Sequence, residues 1–191
     1  MRKSFITSIR MILIMTAITG LIYPFFITGI SQVFFHKKAQ GSLVEKNGII
    51  VGSELIGQKF DSIFYFWPRP SATNYQPLPS GATNFSWTDQ RFKKLVGERK
   101  EAFIKGNMLD DTITVPVEML CASASGLDPD ISPRAALLQV DRISRNRNFN
   151  DEQKQKLVMM IKKMTEKRQF SLFGEERINV FLLNLELDKI K

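Results

Sequence analysis

An α+β fold behind one N-terminal transmembrane helix is what this sequence predicts. Three observations predict it. Residues 11–35 hold no Asp, Glu, Lys or Arg. An Asn-Gly pair between two apolar runs then marks a β-hairpin. Further on, three stretches carry helix signals, in periodicity, in capping residues or in both. The chain has 191 residues, enough for one ordinary domain and an anchor. The expected organisation is a cytoplasmic arm at 1–10, a transmembrane helix at 11–35, and one soluble domain at 36–191 with a small sheet and several helices.

The anchor comes first. As a helix, Met11 to Phe35 is about 37 Å long at ~1.5 Å per residue, more than a hydrocarbon core of about 30 Å. A secretory signal has an apolar core of only about 7–15 residues followed by small residues, so an uncleaved span is expected. Arg2, Lys3 and Arg10 precede the span; His36, Lys37 and Lys38 follow it. These flanks nearly balance, and a short positive arm left in the cytoplasm with the large domain exported is the expected arrangement. Thr16 and Gly20 form a small-xxx-small pair, with Pro24 four residues on. That surface serves either for packing against another helix or as plain lipid-facing anchor. With no Asp, Glu, Lys or Arg inside, the span is not expected to carry ions or a proton relay itself.

The soluble part opens with LVEKNGIIVGSEL, Leu43 to Leu55, the hairpin candidate turning at Asn47-Gly48. Phe60 to Pro79 carries Pro68, Pro70, Pro77 and Pro79, which exclude a continuous helix. An ordered loop is predicted there, because otherwise Phe64, Tyr65, Phe66 and Trp67 would all be exposed. A helix is predicted from Thr88 to about Lys105, with Phe92, Leu95, Val96, Ala102 and Phe103 on one side. Ser132 is the expected N-cap, and Pro133 the first-turn proline, of a helix to about Asn146. Asn150 and Gln153 make a capping box for the next helix, whose apolar face is Leu157, Val158, Ile161 and Met164. The terminal run ERINVFLLNLELDK suits a strand or a helix.

Composition narrows the chemistry. The formal charge of +8 suits nucleic acid or an anionic membrane. The basic residues are scattered among acidic ones, from Lys93 and Lys94 through Arg142 and Arg145 to Lys167 and Arg168, and no nucleic-acid motif accompanies them. A nucleic-acid partner is not expected. The one histidine, His36, sits at the membrane boundary, so a Ser-His-Asp or Cys-His site is not expected in the domain. One Cys, Cys121, and one His do not make a zinc set. Asp110-Asp111 and Asp128-Pro129-Asp130 lack EF-hand spacing, and Asp before Pro more often serves turn hydrogen bonds. No metal is expected. Two Gly/Ser loops are weak anion-binding candidates: Ser80, Gly81 and Asn84 in one, Ser125 and Gly126 in the other.

Several blocks in order carry a resemblance over essentially the whole chain. They are TGLIYP (19–24), GSLV (41–44), GSELIGQKF (52–60), YFWPRPSAT (65–73), SGATN (80–84), VPVEMLCASASGLDPDISPRAALLQVDRISRNRN (115–148) and INVFLLNLELDK (178–189). The chain resembles the C subunit of the Kdp potassium-transporting P-type ATPase, the KdpC family. The resemblance implies a single-span accessory subunit of a bacterial plasma-membrane pump that takes up K+. Other subunits carry the channel and hydrolyse ATP, so no catalytic residue and no intrinsic cofactor is expected here. Its implied partners are those channel-like and ATP-hydrolysing subunits, together with membrane lipid. The family attribution also includes ATP binding, which an exported domain would not meet in the cytoplasm.

The expected contacts to the pump are Thr16, Gly20 and Pro24 in the span, Arg69, Pro70 and Ser71 in RPSA, and Ser123, Gly126, Leu127 and Asp128 in SASGLDP. Two alternatives stay open: a membrane-anchored extracytoplasmic hydrolase or binding module, and a cytoplasm-facing subunit that binds ATP with the catalytic subunit.

Overall fold

The computed structural model describes residues 2–190. The chain forms two compact units, divided between Ser53 and Glu54. In the first, one helix runs from Arg2 to Phe34, 33 residues, long and apolar enough to cross a membrane. It comprises α1 (Arg2–Ala17), a wide π turn (Ile18–Ile22) and α2 (Tyr23–Phe34). The π turn ends two residues before Pro24, which lacks an N–H and whose ring crowds the carbonyl four residues back, at Gly20 within that turn; the wider turn relieves a ladder that Pro would break. The basic arm at 2–10 is helical too, so the helix starts well before Met11.

A single turn, α3 (His36–Ala39), leads to the hairpin β1 (Leu43–Lys46) and β2 (Ile49–Ser53). Asn47 and Gly48 both adopt positive φ, 54° and 76°, as the type I′ turn requires. The strands are antiparallel, with an irregularity between Val44 and Glu45.

The second unit starts with a long ordered coil, which contains the predicted aromatic–proline loop. Phe66 is fully buried, Tyr65 and Trp67 pack partly buried against the core, and Phe64 stays exposed. Helix α4 (Gln90–Asn107) follows, starting two residues after Thr88 and capped by Asp89, whose carboxylate accepts from Arg91 N. Its buried side carries Phe103, Ile104 and Asn107, whereas Ala102 faces solvent. The apolar stripe therefore turns toward Ile104 and Asn107 at its C-terminal end.

Strand β3 (Asp130–Ile131) is followed by α5 (Pro133–Leu137) and α6 (Val140–Asn146). Ser132 caps α5 as predicted, its hydroxyl accepting from Ala135 N. The single predicted helix to Asn146 is interrupted at Leu138 and Gln139, where Gln139 N bonds back to Ala136 O with a 3₁₀ spacing. Helix α7 (Asp151–Met164) has the complete capping box, with both Asn150–Gln153 bonds at 2.8 Å. The terminal run is strand and then helix: β4 (Ile178–Asn179) pairs antiparallel with β3, and Asn179 caps α8 (Val180–Leu187). The core gathers Phe66, Phe103, Ile131, Ala135, Ala136, Ile143, Leu157, Ile161, Ile178, Leu183 and Leu187. The observed class is α+β with small two-stranded sheets.

Candidate functional site

Four separated segments of the second unit meet at one place. Gly57 N donates to Leu127 O at 2.7 Å. The Ser71 hydroxyl donates to Gly126 O at 2.7 Å and accepts from Tyr75 N at 2.9 Å. Gly81 N reaches Ser125 O at 3.4 Å. Arg69 Nη1 and Asp128 Oδ2 form an ion pair, with side chains 23% and 29% exposed. The Tyr75 hydroxyl donates to Arg69 O; burial raises its pKa, so it stays a donor. Residues 54–57 (ELIG), RPSAT, SGATN and SASGLDP thus form one junction.

Two glycines make the junction possible. A Cβ on Gly57 would sit 2.7 Å from Asp128 O. Gly126 has φ +72°, and a Cβ there would meet Thr73 Oγ1 at 2.7 Å and Ser71 Oγ at 3.2 Å. Neither segment could approach as closely with any side chain present. Asp128 Oδ1 also accepts from Asp130 N at 3.0 Å, the local turn bond expected of Asp before Pro.

Behind the junction, the backbone of Ile63 to Trp67 is held by side chains in place of a neighbouring strand. Arg142 donates to Ile63 O at 2.5 Å and to Tyr65 O at 2.9 Å. Arg147 Nε donates to Phe64 O at 2.8 Å. The Asn184 amide accepts from Phe66 N and donates to Phe66 O, at 2.8 and 3.0 Å. Gln139 does the same for Trp67, at 2.7 and 3.2 Å. Arg142 is 1% exposed, and burial lowers its pKa to about 10, leaving it cationic at neutral pH. This frame presents the next residues, Pro68 to Ser71, at the junction.

Grooves open on two sides of the Arg69–Asp128 pair. One, of about 620 Å³, is lined by Leu55, Ile56, Ser123, Ser125 and Leu127. The other, of about 910 Å³, is charged and includes Glu118, Asp130, Arg134, Arg168 and Arg177. Arg69 and Asp128 line both. The Asp130 pKa is raised, chiefly by burial and against the pull of Arg177 3.2 Å away. Arg69 Nε is buried with no hydrogen-bond partner among the described residues.

The residues named from sequence fall into three sets. Arg69, Pro70, Ser71, Gly126, Leu127 and Asp128 come together at the junction, together with Gly81 and Ser125. Ser123 and Gly126 are buried in it, and the Ser123 carbonyl accepts from Gly126 N at 3.3 Å. Ser80 and Asn84 are exposed. Thr16, Gly20 and Pro24 are exposed along the helix of the first unit. Among the described residues, no group of three or more His, Cys, Asp or Glu side chains is placed to hold a metal ion.

Sequence reasoning missed Gln139, Arg142, Arg147 and Asn184. One signal was available: Asn184 interrupts the apolar run VFLLNLEL, and Gln139 and Arg142 flank Val140 three residues apart on helical spacing.

The helix and the junction-bearing domain together define a membrane-associated protein with one apolar helix and an α+β domain. The family model described as the K+-transporting ATPase, c chain, matches residues 5–189. The Leptospira interrogans potassium-transporting ATPase KdpC subunit is 45% identical over 95% of this chain and 91% of its own length. The Geotalea uraniireducens KdpC subunit is 42% identical over 96% of both chains. The Mycobacterium tuberculosis KdpC subunit is 38% identical over the full length of both. The chain belongs to the KdpC family.

Proposed function

We propose that this chain works as the accessory subunit of a potassium-transporting ATPase by docking. In this reading, Arg2–Phe34 spans the plasma membrane once and packs beside helices of the pump. The α+β domain covers the pump's outer face with the Arg69–Asp128 junction at or beside the contact. Family membership supports the subunit role. The observation that carries the docking reading is the junction itself. Separated segments are locked together so that a partly exposed ion pair lies between two grooves. Such a rigid, polar, concave surface suits recognition of another protein.

Two experiments test it. In the first, residues 11–35 are replaced by polyleucine and the chain is purified with the other pump subunits. Docking by the helix predicts a several-fold loss of the complex; full recovery of both complex and K+ uptake would sink that part. In the second, a reporter enzyme active only outside the cytoplasm is fused after Lys191. Activity is expected. A silent reporter beside an active cytoplasmic one would favour the cytoplasm-facing, ATP-binding subunit instead.

A further inference from the structure

The segment RQFSLFGE, Arg168 to Glu175, closes a short hairpin between α7 and β4. Glu166 pairs with Arg177 and Gln169 with Phe173 in antiparallel bridges. At the tip, Leu172 N bonds to Gln169 O at 3.0 Å across Phe170 and Ser171. Both of these residues have positive φ, 52° and 59°. A bulky aromatic there is a rare backbone choice, and it throws the side chain outward instead of onto the core. Phe170 is 87% exposed, Leu172 75% and Phe173 65%. Three large apolar side chains on four consecutive residues leave a convex greasy tip.

The charges around it have one sign in excess. Glu175 is neutralised by Arg168 at 2.6 Å, and Arg177 is shared between Glu166 at 2.8 Å and Asp130 at 3.2 Å. Lys162, Lys163 and Lys167 are exposed and form no ion pair among the described residues. Glu176 is the one hairpin acid outside an ion pair among them.

We propose that the Phe170–Phe173 tip inserts into the interfacial layer of an anionic lipid membrane, with the three lysines at the headgroups. The inference rests on the reading that Arg2–Phe34 spans the membrane. A tethered domain meets the lipid at high effective concentration, so even a small apolar tip engages. Fluid lipid closes around a convex tip, whereas a protein partner would have to supply a matching pocket. Unpaired lysines beside buried apolar side chains are the arrangement of interfacial binders on anionic lipid.

The test uses the full chain with Cys121→Ser and a nitroxide on one new cysteine, in vesicles of phosphatidylethanolamine with phosphatidylglycerol. The label is placed at Leu172, at Gln155 on the exposed side of α7, or at Ile14 in the long helix. Oxygen collisions several-fold above those of a water-soluble nickel chelate are expected at positions 172 and 14, and the reverse at 155. Replacing phosphatidylglycerol by phosphatidylcholine should lessen immersion at 172 but not at 14. A label at 172 as wet as that at 155, with 14 immersed, overturns the tip insertion. Immersion at 172 that ignores lipid charge overturns the anionic surface. Protection from both reagents only after the other pump subunits are added shows a protein pocket and overturns the lipid reading. A wet label at 14 overturns the membrane span on which the inference rests.

Discussion

The guanidinium of Arg142 lies over the indole of Trp67, 4.0 Å from the ring centroid, while its nitrogens donate to the backbone of Ile63 and Tyr65. One side chain thus fixes both the ring and the strand-like loop that carries it. It also donates to Asn107 and Gln139, each at 2.9 Å. Arg142→Ala leaves several buried acceptors without a donor, at ~1–3 kcal/mol each, and is expected to lower stability by about 3 kcal/mol or more. Arg142→Lys keeps the charge but not the planar fork, and should fall between the two. Denaturant unfolding of the detergent-solubilised chain measures this. Arg142→Met fills the volume without donors; if it unfolds like the parent, the hydrogen bonds do not hold the loop.

The junction glycines make a second prediction. Gly126→Ala puts a Cβ into Thr73 and Ser71 at φ +72°, where an L-residue alone costs about 1–2 kcal/mol. Gly57→Ala meets the backbone of Asp128, which cannot swing aside. Both should lower the unfolding midpoint. Gly97 lies within α4 with nothing within 4 Å of its built Cβ. Gly97→Ala should therefore raise stability by roughly 0.5–1 kcal/mol. A loss at Gly97, or no loss at Gly126 and Gly57, contradicts the packing described.

These same residues mark where the sequence is informative. The Asn47-Gly48 turn, the Ser132 cap and the Asn150–Gln153 box are local, so a few adjacent residues specify them. The terminal run is ambiguous because strand and helix both occur in it, two residues of one and eight of the other. The junction blocks can be seen as motifs, but their meeting cannot. Ser71 and Gly126 lie 55 residues apart, and no spacing rule spans that distance. Asn184 and Phe66 are 118 apart. A buried Asn or Arg in an apolar stretch announces that it has a partner, yet the partners here are backbone groups, which leave no trace in the composition. The break at Gln139 follows from the same cause, since its amide serves Trp67.

Asp130 makes a prediction about pH. Burial, helped by Asp128 and Glu166, raises its pKa above 3.8 despite Arg177. The folded state therefore holds its proton to higher pH than the unfolded state does. The resulting contribution is fully present below 3.8 and is lost as pH rises through the raised value. Relative to Asp130→Asn, the parent should lose stability across that window. Asp110 behaves oppositely: its bonds from Thr112 lower its pKa. Relative to Asp110→Asn, the parent should lose stability as pH falls through the lowered value. Unfolding midpoints of the three chains across the acid range decide the signs; parallel curves would refute both assignments.

The Arg69–Asp128 pair separates a structural role from a docking role. Both side chains are partly exposed, and such pairs contribute only about 0–1 kcal/mol to stability. Arg69→Ala and Asp128→Asn should therefore shift the unfolding midpoint little, less than Gly126→Ala does. If the pair faces the pump, the same changes should cut recovery of the complex, and K+ uptake by cells that depend on it, several-fold. The reason is geometric. A partner group set against the exposed part of a fixed guanidinium loses its whole contact when that guanidinium goes. Arg69→Lys keeps the charge without the fork and should restore only part of the loss. Recovery and uptake that track the unfolding midpoint across Arg69→Ala, Asp128→Asn and Gly126→Ala would mean that the junction only supports the domain's shape. Loss of complex with the midpoint unchanged would place the contact at Arg69.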